Sequence, residues 1–151
     1  MRRLLKFLHT LGSAGLIGAA AALALILIFA PAANSSGDYA SMWIASSKIV
    51  TWILGPSIVL TIMSGLLAMV VTPPFMDAFW VWVKAGTGIL ILLGGLHVTA
   101  PIQQAAKRAA EGGDAAGVLH GEVGTLWVLL GVAIANIALG VWRPRMPKYP
   151  V

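Results

Sequence analysis

Four apolar runs of about twenty residues or more, each cut off by proline or by charge, constrain this 151-residue chain more than any other feature. One such run can be hidden at the centre of a soluble domain. Four cannot, and a run near twenty residues is what a helix needs to cross the roughly 30 Å hydrocarbon core of a bilayer. Composition agrees, with 59% of residues hydrophobic and only 10% charged, and a mean hydropathy of +0.91. The expectation is an all-α fold, one membrane-spanning four-helix bundle over residues 1–151 running up-down-up-down, with spans at about 4–29, 49–71, 78–100 and 121–142.

Proline and polar clusters place the ends. Pro31 closes the first span, Thr72-Pro73-Pro74 the second and Pro101 the third. Residues 32–47 read as a polar loop, in which Asn34, Ser35, Ser36, Gly37 and Asp38 are followed by Tyr39 and Trp43 as interfacial aromatics. Gly55-Pro56 reads as a kink in the second span. The turn before the third span is short enough to make those two spans antiparallel neighbours, with Phe75, Phe79, Trp80 and Trp82 as an aromatic belt. Residues 102–119 read as a connector with a short surface helix ending at Gly112-Gly113. The opening Met1-Arg2-Arg3 and its apolar stretch also resemble a secretory signal peptide, but the stretch exceeds the usual core of about 7–15 residues and reads as a span.

Charge gives orientation and excludes partners. The basic residues gather near the two ends, as Arg2, Arg3, Lys6, Arg143, Arg145 and Lys148, against Lys48, Lys107 and Arg108 in the loops opposite. This pattern places both termini in the cytoplasm, with the chain a multi-pass membrane protein, and makes the net charge of +5 a topology signal rather than a nucleic-acid footprint. The absence of cysteine removes disulfides, iron–sulfur clusters, thiolate metal sites and cysteine nucleophiles. Phosphate-cradling loops, nucleotide fingerprints and catalytic serine arrangements are missing, and the methionines are too scattered for a copper site. No residue is assigned a catalytic role.

Ionisable groups inside an apolar span are costly and by default functional, which singles out His9, Lys84, His97, His120 and Glu122, with Asn136 as a neutral companion. At 1.5 Å per residue, His9 lies about 8 Å and Lys84 about 9 Å into their helices from the same side. His97, His120 and Glu122 form a second group near the opposite side. His9 and His97 are separated along the bilayer normal by on the order of 20 Å, too far to share one haem iron. His97 and His120 match in depth as candidate haem iron ligands, since a b-type haem takes an imidazole on each face; the bland alternative is two interfacial histidines bonded to loop carbonyls. Lys84 either snorkels to the headgroups or meets an anion such as a tetrapyrrole propionate, with Asp77 a structural partner at the interface. Glu122 reads as an anion at a helix N-terminus, or as half of a loose metal pair with His120 if the helix starts after that histidine; Asn136 reads as interhelical glue.

Leu5-Lys6-Phe7-Leu8-His9-Thr10-Leu11-Gly12, Leu54-Gly55-Pro56-Ser57, Ser64-Gly65-Leu66-Leu67-Ala68 and Trp80-Val81-Trp82-Val83-Lys84 resemble an uncharacterised bacterial family of small four-helix integral membrane proteins. That family is similar in layout to the copper-resistance protein D group and, more distantly, to HemJ-type protoporphyrinogen oxidases, which also carry an early histidine in the first helix and a lysine in the third. The resemblance implies that His9 is a haem- or porphyrin-associated ligand and Lys84 its partner. The first functional expectation is therefore a redox component binding haem b or another tetrapyrrole, through His9 with Lys84 or through His97 with His120. The alternative is a non-catalytic membrane subunit without cofactor. It would pack as a homo-oligomer or against a membrane protein through the small-residue faces of the first and fourth spans, including Gly121, Gly124, Gly131 and Ala135.

Overall fold

The computed structural model describes residues 2–31, 36–71 and 79–142. These fold into helices α1 (Arg2–Ile28), α2 (Ser36–Ile49), α3 (Gly55–Val71), α4 (Phe79–Ala110) and α5 (Ala116–Trp142), with a π-helical segment, Val50–Leu54, joining α2 to α3 without a break. Among the described residues there is no strand, and four continuous helical stretches are long and apolar enough to cross a membrane. The fold is an all-α membrane-spanning four-helix bundle. Leu16, Leu23 and Leu27 of α1, Leu54, Ile91, Val98, Ile102 and Leu126 fill its centre, while leucines, isoleucines and valines on every helix face outward as a lipid-exposed surface requires.

Facing residues give the register. Gly12 meets Thr61 and Ser57 while Gly15 meets Ser57, so α1 and α3 run antiparallel; Gly95 meets Ile58, and Gly94 meets Leu129 while Gly140 meets Lys84. Each span thus packs against the next, and the last closes on the first through α1 and α5. The start of α1 and the finish of α5 share one end of the bundle, called the terminal end; the other is the distal end.

Two boundaries differ from the sequence expectation. Residues 36–47 are not a loop: the helix begins at Ser36, and Tyr39, Trp43, Ser46 and Val50 recur at helical spacing with all four side chains buried. Tyr39 and Trp43 are core residues, stacked edge to face with ring centroids 6.2 Å apart, instead of an interfacial patch. Nor does Pro101 end the third span, since α4 passes through it to Ala110. Val98, Ile102, Ala105 and Ala109 keep one face buried on both sides of the proline. Packing of that face against α2 outweighs the single backbone hydrogen bond that Pro101 cannot donate.

The stop that does act is glycine. Gly112 has a φ of 77°, and Gly113 and Gly112 donate to the carbonyls of Arg108 and Ala109 at 2.9 and 3.1 Å, a Schellman termination in which a side chain at position 112 would be strained. The Gly55-Pro56 pair acts one turn upstream of itself. Gly55 N–H bonds Val50 O, five residues back, and the widened turn relieves the clash of the Pro56 ring with the carbonyl four residues earlier. The extra residue also keeps Val50, Leu54 and Ile58 on one buried face.

At 1.5 Å per residue the continuous helices Gly37–Val71 and Phe79–Ala110 are each about 50 Å long, well beyond a hydrocarbon core of roughly 30 Å. The exposed Lys48, Lys107 and Arg108 lie on their distal portions, which form a two-helix projection of α2 packed against α4. Its tip is clipped to the start of α5: the Tyr39 hydroxyl accepts from Ala115 N–H at 3.0 Å and donates to Asp114 at 3.3 Å.

Candidate functional site

Toward the terminal end each span contributes polar groups to the bundle interior. On α1, His9 turns to α3, where its Nδ1 lies 2.9 Å from the Thr61 carbonyl and 3.2 Å from Ser64 Oγ. A carbonyl only accepts, and the Ser64 hydroxyl donates to Leu60 O at 2.6 Å, so Nδ1 carries the imidazole proton. Nε2 is left as a lone-pair nitrogen with no hydrogen bond among the described residues. The ring packs over Gly65 of α3, where a Cβ would lie 3.5 Å from His9 Cε1, ordinary van der Waals contact. One turn on, the helices close further, since Gly12 and Gly15 admit Thr61 and Ser57 against the α1 backbone.

The other half of the site joins α4 to α5. Asn136 Nδ2 donates to the Lys84 carbonyl at 3.1 Å and to Thr87 Oγ1 at 2.5 Å, and Thr87 Oγ1 donates to the same carbonyl at 3.0 Å. Because both partners of Nδ2 accept, the amide orientation is fixed and Oδ1 points elsewhere. One turn along α5, Gly140 makes room for the Lys84 ammonium; a Cβ there would lie 2.7 Å from Nζ. His9 and Lys84 thus sit toward the same end of the bundle on different helix pairs, His9 bonded to α3 and Lys84 held against α5.

The distal group is arranged differently. His97 is exposed on α4, and His120 belongs to α5 with its side chain outside the described residues, as is Asp77. Since α5 begins at Ala116, Glu122 is in its second turn, not at an N-terminus, and a continuous helix through 120–122 turns residues 120 and 122 to different sides. Both sequence accounts of Glu122 therefore fail. It is instead a buried carboxyl group, 6% exposed, with Oε2 lacking any partner among the described residues. Glu122→Leu is expected to raise stability by about 1–3 kcal/mol, the usual cost of an unsatisfied buried polar group. Unfolding in lipid–detergent mixtures measures it, and a loss of that size would reveal a partner to the carboxylate.

Neither Thr87 nor Thr61 is singled out by the sequence, and the decisive atom of Thr61 is a backbone carbonyl that no residue type announces. A four-helix integral membrane protein with a histidine, a lysine and an asparagine held inside its terminal half is the class that fold and site define. The chain belongs to the family described as predicted integral membrane protein (DUF2269), whose match covers residues 3–144. No curated protein and no solved structure matches it.

Proposed function

We propose that this chain is a haem- or tetrapyrrole-binding redox component of the bacterial inner membrane, with both termini cytoplasmic and His9 as the iron ligand. The observation that carries the reading is the hydrogen bond from His9 Nδ1–H to the Thr61 carbonyl. Ligating histidines are commonly fixed in this way, their distal nitrogen left basic and oriented for the metal. Lys84 supplies a cation suited to a propionate, and an early histidine in the first span with a lysine in the third resembles the layout of the copper-resistance protein D group and, more distantly, of HemJ-type oxidases. When bound, haem would supply one-electron chemistry at iron. The protein's own part is to set the tautomer of His9 and to hold the ring against α3. His97 stands thirteen residues from Lys84 along α4, about 20 Å at 1.5 Å per residue, and belongs to a separate level.

A second reading, a non-catalytic subunit that packs against a partner chain, rests on α5. Gly121, Gly124, Gly131 and Ala135 form an exposed stripe, and a Cβ at any of the three glycines would meet open space. One experiment separates the readings: a reduced-minus-oxidised visible spectrum of the detergent-purified protein made with haem supply. A Soret band kept by His97→Ala and lost in His9→Ala is expected. A colourless protein overturns the haem reading, and association lost in Gly124→Leu or Gly131→Leu would then establish the packing subunit.

A further inference from the structure

Between the two polar halves of the site lies a cavity of about 10 Å³, lined by Ser13 of α1, Thr61 of α3 and Asn136 of α5, with Leu16, Ile91 and Ala133 among its apolar walls. That is the room one water molecule occupies. The three polar side chains offer the same chemistry to it. The Ser13 hydroxyl proton is committed to the His9 carbonyl at 2.8 Å and that of Thr61 to the Ser57 carbonyl at 2.7 Å. The Asn136 Nδ2 protons go to Lys84 O and Thr87 Oγ1. What remains at all three residues is oxygen lone pairs, at Ser13 Oγ, Thr61 Oγ1 and Asn136 Oδ1.

The cavity also sits between two hydrogen-bonded helix pairs. His9 ties α1 to α3, and Asn136 ties α4 to α5. We propose that the cavity is a binding site for one water molecule, which donates to Asn136 Oδ1 and to Thr61 Oγ1 or Ser13 Oγ and ties the two helix pairs together inside the membrane. Three acceptor-bearing side chains around a gap in a low-dielectric interior call for a donor, and the volume matches that of one water. An ammonium ion of like size would bring a charge that three neutral oxygens leave poorly solvated.

The test is water-edited NMR on the full chain in lipid bilayers. Transfer from a long-lived water to the Thr61 methyl and the Asn136 amide is expected, and its loss in Asn136→Leu. In Thr61→Val, which keeps the shape and removes one acceptor, transfer to the Asn136 amide should weaken. A folded wild-type chain without transfer to either group overturns the proposal. So does a cavity found dry in a high-resolution structure in lipid, or transfer that persists unchanged in both variants.

Discussion

Trp43→Ala is expected to lower the unfolding free energy by about 3–5 kcal/mol, as for other fully buried aromatics cut to alanine. Trp43 is the largest side chain that the bundle buries completely, at 0% exposure. Its ring packs edge to face against Tyr39, whose hydroxyl holds Asp114 and Ala115 at the start of α5. Truncation would open a cavity and loosen the clip that keeps the distal projection against the fourth span. Trp43→Phe should cost less than half as much. The indole Nε1–H is buried without a partner among the described residues, so losing it removes an unsatisfied donor together with some packing area. Unfolding curves in bicelles decide the matter; an alanine variant within about 0.5 kcal/mol of the wild type, the range of ordinary surface substitutions, would mean that Trp43 faces the interface after all.

Trp43 is also where the sequence misleads. The architecture was legible because four long apolar runs have few alternatives, and the bundle follows from them directly. The helical character of residues 36–47 was obscured by local composition: serines, glycine and aspartate imitate a loop. The signal that overrides them is the spacing of Tyr39, Trp43, Ser46 and Val50, which becomes meaningful only once a partner face exists on α4 to bury it. Pro101 misleads for the same reason, a local preference outweighed by the burial of Val98 and Ile102 on either side.

The candidate site was legible in depth but not in facing. A rise per residue is enough to set His9 and Lys84 at one level and His97 at another. It does not say which way a side chain turns about the helix axis. That His9 would bond the Thr61 carbonyl, that Asn136 would hold Lys84 through its backbone, and that Glu122 would be buried in the second turn of α5 all depend on rotation and register. In this bundle the register is set by small residues. Gly12 and Gly15 were visible in the sequence, as were Ser57 and Thr61, but that the two groups face each other was not.

Gly12 is therefore the most exacting position in the bundle. A Cβ there would lie 2.5 Å from Thr61 Oγ1, and also 2.9 Å from Thr61 N and 3.0 Å from Ser57 O, two backbone atoms that no rotamer change can move aside. Gly12→Ala should destabilise by about 1–3 kcal/mol through overpacking, although alanine is the better helix former by roughly 1 kcal/mol. Gly12→Leu should go further and separate α1 from α3. Gly18, on the same helix, faces open space, and Gly18→Ala should be neutral or stabilise by up to about 1 kcal/mol. The contrast isolates close approach from helix propensity, because both substitutions add the same methyl group to the same helix. The consequence reaches the site, since His9 bonds Thr61 from one turn before Gly12. Pushing the helices apart lengthens that bond and frees the imidazole to change tautomer, which ¹⁵N shifts of the His9 ring would register. Equal stability of Gly12→Ala and Gly18→Ala, with unchanged His9 shifts, would show that α1 and α3 do not pack this closely. The support proposed for His9 as a ligand would then be lost with the packing.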